Sequence, residues 1–517
     1  MKKVLCCLVC LFCLVMIASC NAKHQHEWED WKILEAADCE HAGSRERVCS
    51  CGEKEVEEIA VQGHSMNAVE TIAPTAARQG YTLYSCSACT FEEKRDIVDP
   101  TGSQGLAYTV NDDKKTCTVT GIGTCTDTEL GIPDFIDGYK VTAIGEYAFR
   151  GPSSLSYVWL GNYVETMGFG AFQSNSFLKE VVCGERLTNI AASAFQTCLR
   201  LEKIDFSDSI TIIEHDAFGY CTRLVTLDFG EDLRTIEYRA FISCESLVQV
   251  TLPKLLSKIE DEAFERCYKL VEVINLSGLK LSKANTSNGY VAYYSMGIHD
   301  DASKSKIISE GDFLFLERDP INYLLAYTGN DTELVLPEFF KGENYLIYDY
   351  AFSRELDITS VTIPSTIRSF GVEAFRACSK LEKVEISDFA AWCNSVFETE
   401  ASNPLYRAEN LYLNGELLVS AKIPDGITEI KPYTFVNCKS IQSLIMPKSL
   451  VNIRENAFKD CLFLYTFYYE GTWDECMLYE VGNYPIFTKI YCYSAAQPTS
   501  TTGSYWRYVD GVPTAWN

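Results

Sequence analysis

Nine side chains between His24 and Cys89 are of the kinds that bind metals, exchange electrons or form disulfides. They are His24, His26, His41 and His64, with Cys39, Cys49, Cys51, Cys86 and Cys89. Cys86 and Cys89 have the C-x-x-C spacing that lets two thiolates chelate one ion. Zinc takes about four N or S ligands in a tetrahedron. In the first half of this stretch, His26, Cys39, Cys49, Cys51 and His64 are candidate ligands for such a site. A weak internal repeat runs at an offset of 37 residues, matching Gly43 to Gly80 and Cys49 to Cys86, while Ala76 stands where the first copy has Cys39. Disulfides outside the cell, or plain thiols, account for the same residues equally well. A redox pair at Cys86–Cys89 lacks the surrounding βαβ pattern. Any metal here would be structural, because so small a module has no core of its own.

No other stretch offers catalytic chemistry. His215 and His299 are the only remaining histidines. There is no Gly-x-Ser-x-Gly elbow, phosphate loop or His-Glu-x-x-His helix, and Gly121-Ile122-Gly123 does not open a nucleotide loop. With 71 carboxylates, acidic pairs arise without design. No catalytic residue is assigned and a non-enzymatic protein is expected. The alternatives are an extracellular hydrolase of polysaccharides with its site in an insertion, or a structural spacer of the envelope.

The rest of the chain is organised by a period. Phe149, Phe172, Phe195, Phe218, Phe241 and Phe264 each follow an Ala and lie 23 residues apart. Cys198, Cys221, Cys244 and Cys267 come three positions later, and Leu201, Leu224, Leu247 and Leu270 six later. A fixed period of this length is the mark of a solenoid, in which each unit buries its apolar face only by stacking on the next. Alternation such as Ile204 and Phe206 fits a short strand with one buried face. The Ala-Phe-x-x-Cys run has room for about one or two helical turns. The fold class is therefore a repeat solenoid with a parallel sheet on one face, short helical turns elsewhere, and its coils in one elongated rod. The ladder cysteines read as buried thiols, since successive rungs project the same way, which is poor geometry for a bond between them.

Ala-Phe-x-x-Cys-x-x-Leu-x-x-Val-x-Ile/Leu-Pro, as in Ala240–Pro253, resembles the BspA-like class of leucine-rich repeats. The motif returns at Ala374–Cys378 and Ala457–Cys461. The resemblance spans about Leu106 to Tyr469. It implies a bacterial cell-surface protein, of a class in which some members bind host matrix proteins or other cells; the expectation is a surface scaffold that binds a macromolecule, a host protein or a glycan. The His/Cys stretch resembles small modules found near the ends of many bacterial surface proteins.

Met1-Lys2-Lys3 followed by apolar Val4–Ile17 reads as a leader, too short to span a bilayer. Ile17-Ala18-Ser19-Cys20 resembles the bacterial lipoprotein box, which implies lipid on Cys20 and a membrane-anchored protein on the cell surface; the alternative is plain secretion. The formal charge of −26 disfavours nucleic acid as a partner.

The expected organisation is a signal peptide (1–19), a lipid-bearing tether (20–23) and His/Cys repeats (24–101). A leucine-rich repeat array with a cap hairpin follows (106–273), then an irregular insertion (274–345). A continued array (346–469), itself interrupted at 388–425, leads to a closing cap (470–517). Aromatic residues in the insertions read as packing on neighbouring repeats.

Overall fold

The computed structural model describes residues 26–151, 154–472, 475, 488–499 and 503–516. Cys20, the leader and His24 lie outside the described residues, as do Trp473 and Cys476 of the expected cap. The chain divides into two compact units, one ending at Pro100 and the other starting at Thr101.

The first unit holds two small antiparallel sheets. One comprises β1 (Lys32–Glu35), β2 (Gly43–Val48) and β3 (Lys54–Ile59). The other comprises β4 (Met66–Ile72), β5 (Gly80–Cys86) and β6 (Glu92–Val98). Most of their side chains are exposed, and the few buried ones are Ala37, Cys39, Cys49, Ala77 and Cys86. Apolar burial therefore contributes little stability to this unit.

The second unit is the solenoid. Strands Tyr157–Trp159, Glu180–Val182 and Lys203–Asp205 pair in parallel with Val158, Val181 and Ile204 in register, each 23 residues on. Strands Thr226–Asp228, Gln249–Leu252 and Glu272–Asn275 repeat the arrangement. A second parallel ladder of two-residue strands runs through Ile190, Ile213, Ile236 and Ile259. The rings of Phe149, Phe172, Phe195, Phe218, Phe241 and Phe264 stack in one column, with centroids 4.9–5.3 Å apart. That spacing is set by the distance between paired strands.

The Ala-Phe-x-x-Cys run is not helical. Two residues of each coil, one on either side of Ala-Phe, take a left-handed backbone: Ser193 and Thr197, Asp216 and Tyr220, Arg239 and Ser243, Glu262 and Arg266. Left-handed residues cannot propagate a right-handed helix. The turns are laddered instead: the N–H groups of Phe172, Phe195, Phe218 and Phe241 each donate to the Ala carbonyl of the next coil at 2.7–2.8 Å. The thiols join in. Cys198, Cys221, Cys244 and Cys267 donate to the carbonyls of Phe172, Phe195, Phe218 and Phe241 at 3.1–3.4 Å. Asn175, which stands at the cysteine position one coil earlier, donates to Phe149 and Phe172 at 2.7 and 2.8 Å. A small, buried side chain with a donor is what this position requires, so these cysteines are structural.

The solenoid is not one straight rod. Its buried residues form two large clusters, Leu106–Ala292 and Phe315–Cys492, joined by a small one of Val248, Val271, Leu316, Leu325 and Ala326. The first array opens on the hairpin Ala107–Val110 with Thr116–Gly121, whose second strand pairs in parallel with the first coil strand, Tyr139–Ile144. Residues 313–347 repeat this topology: Phe313–Leu316 runs antiparallel to Asn322–Tyr327, which pairs in parallel with Tyr345–Ile347. The stretch that reads as an insertion thus supplies the opening cap of a second array. Its first coil is laid across the flank of the first array. Asp357 meets Arg200 at 3.0 Å, Glu355 meets Arg223 at 2.6 Å, and Arg354 meets Glu245 at 2.9 Å. Lys269 donates to the Ala351 carbonyl at 3.2 Å. Seven residues of one coil therefore cross four rungs of the other array. The sequence pattern of equal spacing on both sides of the break concealed this change of direction.

The interruption after Phe375 is one longer coil followed by an antiparallel hairpin, Leu411–Leu413 with Glu416–Leu417. Val384 pairs with Leu411 instead of a residue 23 further on, and the extra chain forms Phe389–Cys393 and Leu405–Ala408 helices. Trp392 is buried there and donates to the Thr434 carbonyl at 3.2 Å. The last coil is covered by the hairpin Tyr505–Val509 with Val512–Ala515, where buried Trp506 donates to the Tyr469 carbonyl at 2.8 Å.

Candidate metal centres and the repeat family

The candidate ligands of the first unit fall into two groups. Cys39, His64, Cys86 and Cys89 place one ligand atom each within 4.8 Å of all the others, and so do His26, Cys49 and Cys51. The partition differs from the one that sequence proximity suggests. Cys39 belongs to the loop between β1 and β2, in the first copy, yet it completes the set built by the second.

Local backbone bonds explain how. The Asp38 carboxylate accepts the amides of Glu40 and His41 at 2.8 and 2.6 Å, and these bonds hold it below the usual carboxylate range. That turn sets the Cys39 loop. The Gln62 amide then donates to the Asp38 carbonyl at 3.0 Å and its side chain to the Ala37 carbonyl at 2.9 Å. Both bonds hold the β3–β4 connection, and with it His64, beside Cys39.

The two turns that carry the thiol pairs are built alike. Cys49 N–H donates to the Glu53 carbonyl at 2.8 Å, and Cys86 N–H to Phe91 at 2.9 Å. Ser50 N–H reaches Glu27, and Ser87 N–H reaches Ser65, at 3.2 and 3.0 Å. In each set the histidine turns Nδ1 to a thiol: His26 to Cys51 at 3.5 Å, His64 to Cys89 at 3.3 Å. The other nitrogen, Nε2, faces a carboxylate: Glu53 at 3.1 Å and Glu40 at 3.8 Å respectively. Each ring also lies on an aromatic face, His26 on Trp28 and His64 on Phe91. Ala88 N–H points at Cys86 Sγ from 3.5 Å and pulls that thiol below its usual value, while burial pushes Cys39 up.

Elsewhere, burial pushes the Cys183 and Cys198 thiols up to about 12 and Cys221 and Cys244 well above their usual value. Such groups are poor nucleophiles and poor metal ligands. His215 meets its neighbour Asp216 at 3.3 Å on an exposed turn. His299 bonds Glu272 at 3.1 Å on the flank of the first array. A cleft of about 430 Å³ near the closing hairpin is lined by Asp425, Lys448, Ser449, Glu470, Tyr493 and Tyr508. Asp425, Lys448, Glu470 and Tyr493 follow the repeat period on successive coils, and the closing hairpin adds Tyr508.

The stacked rings, parallel ladders and laddered turns define the second unit as a leucine-rich repeat solenoid. Residues 142–271, 342–405 and 406–479 match the family described as BspA type leucine rich repeat region, in six copies. The matched segments cover more than half of the chain, which therefore belongs to that family. Solved structures to which the chain is similar include a leucine-rich repeat protein from Bacteroides ovatus, 21% identical over 77% of this chain and 99% of that one, with a TM-score of 0.34. A leucine rich cell surface protein from Faecalibacterium prausnitzii is 21% identical over 75% of this chain and 100% of its own, with a TM-score of 0.27. The pneumococcal vaccine antigen PcpA is 15% identical over 84% and 94%, with a TM-score of 0.28. No curated protein matches the chain.

Proposed function

We propose that this protein is a non-enzymatic scaffold of the bacterial cell surface, anchored by lipid on Cys20, whose solenoid presents its outer faces to a host protein or a glycan. The observation that carries this reading is the two-array solenoid itself. The equivalent position is polar on three successive strands, exposed at Lys203 and Thr226 and half-buried at Gln249. A periodic face of this kind suits a partner that is itself long or repeated. The flank contacts at Arg223 and Glu245 brace the two arrays against each other, which keeps such a face rigid on binding and limits its entropic cost. Membership of a family that includes surface proteins by sequence pattern supports the location. Among the described residues no helix is long and apolar enough to cross a membrane.

The test has two arms. Membrane fractionation of cells should find the chain with the membrane, and Cys20→Ser should release it. The chain without its leader should bind saturably on arrays of matrix proteins and glycans. Failure on every array, or turnover of a polysaccharide by the purified chain, overturns the scaffold reading.

A further inference from the structure

We propose that the first unit binds zinc, and that Cys39, His64, Cys86 and Cys89 form one four-ligand site that ties the two small sheets together. A zinc tetrahedron with bonds of about 2.3 Å to sulfur and about 2.0–2.1 Å to nitrogen has edges of about 3.8 Å between sulfurs and about 3.5 Å between sulfur and nitrogen. The Cys39 and Cys86 sulfurs are 3.7 Å apart, and His64 Nδ1 lies 3.3 Å from Cys89 Sγ. A disulfide would bring two sulfurs to about 2.05 Å. The spacing is that of ligands around an ion.

Three further observations agree. Both histidines present Nδ1 to a thiol; His26 turns Nε2 to Glu53 at 3.1 Å, the arrangement in which a carboxylate fixes the ring and raises its basicity as a ligand, and His64 turns Nε2 toward Glu40 at 3.8 Å. Cys39 and Cys86 are buried, although the unit buries almost nothing else. A module so poor in core gains its folding energy from the ion.

The shared ligand also explains the unequal copies. Thr75 occupies the place of Asp38 and shapes the same turn, its hydroxyl accepting the amides of Ala77 and Arg78 at 3.3 and 2.9 Å. The turn is kept, but Ala76 replaces the cysteine. The first copy hands its Cys39 forward to the second. The second copy is followed by the solenoid, which among its described residues has no such set to complete, so a forward cysteine has no partner site there. The His26, Cys49 and Cys51 set supplies three ligands among the described residues.

The test uses the full chain, produced with added zinc and purified under reducing conditions, with bound metal measured by mass spectrometry of the elements. Zinc should copurify. Cys39→Ser and Cys89→Ser should each remove about one equivalent, whereas Cys125→Ser, outside both sets, should remove none. Because a ligand variant can fail to fold, the unmodified chain is also stripped and titrated with Co²⁺. The visible bands of tetrahedral cobalt with thiolate charge transfer are expected. Their absence, or a zinc-free chain carrying a Cys39–Cys86 disulfide, overturns the proposal. Loss of zinc from Cys89→Ser but not from Cys39→Ser overturns the shared ligand.

Discussion

Phe218 tests the packing of the solenoid most directly. Its ring is fully buried, stacked between Phe195 at 5.3 Å and Phe241 at 5.2 Å, with Phe206 edge-on at 5.9 Å. Phe218→Ala should cost about 3–5 kcal/mol, the usual range for emptying a buried aromatic site. Phe149 ends the column and stacks on one side only, against Phe172 at 4.9 Å. One aromatic contact is worth about 0.5–1.5 kcal/mol beyond its area, so Phe149→Ala should cost less by about that much. Tyr220→Ala, on an exposed turn of the same coil, should change stability by about 0.5 kcal/mol or less. Urea titration followed by circular dichroism gives the three values. Hydrogen exchange should place the Phe218→Ala loss in the neighbouring coils of Phe195 and Phe241 and at Glu355, which Arg223 of the same coil holds. A Phe218→Ala cost under about 1 kcal/mol, or one equal to that of Tyr220→Ala, would refute the stacked-column account.

Three other outcomes are expected. Asn175→Cys should stay within about 1 kcal/mol of the parent in urea melts, whereas Asn175→Leu, which leaves the Phe149 and Phe172 carbonyls without that donor, should cost about 1–3 kcal/mol more. Above about pH 9 an unfolded thiol ionises while buried Cys198 holds its proton up to about 12, so the folded state binds more protons and loses stability as pH rises, by about 1.4 kcal/mol per pH unit for this group. Cys198→Ser should make the alkaline slope of stability shallower by that amount, read from melts at stepped pH. At the junction, Arg223→Met alone should destabilise by about 1–3 kcal/mol more than Arg223→Met with Glu355→Leu, since the single change strands a buried carboxylate. With Glu355→Leu alone measured as well, additive effects in the double-mutant cycle would show the pair to be uncoupled.

The solenoid was legible because period 23 is written in residues that cannot be elsewhere: Phe218 and Phe241 have no apolar shelter except each other's coils. The buried character of the ladder cysteines was legible for the same reason. Three features were not. The Ala-Phe-x-x-Cys run has helical length, but left-handed residues such as Tyr220 and Arg266 are ordinary residue types that give no sign of it. The change of direction rests on single long-range pairs, Arg200 with Asp357 and Arg223 with Glu355, which local patterns do not reveal. The thiol and imidazole residues of the first unit were visible as a group. Their partition was not, because Cys39 is nearer in sequence to Cys49 than to Cys86, and only the Gln62 bonds carry His64 back to it.

The row Arg200, Arg223, Glu245 and Lys269 carries a constraint on how this gene can grow or shrink. A coil gained or lost ahead of Leu178 leaves the row intact and merely lengthens one arm. A coil inserted between Arg200 and Lys269 would offset the rungs on one side of it, so that the pairs with Ala351–Asp357 could no longer all form and the corner would be unlatched. Length variation among close relatives should therefore fall in whole steps of one coil, on either side of these four rungs and not among them.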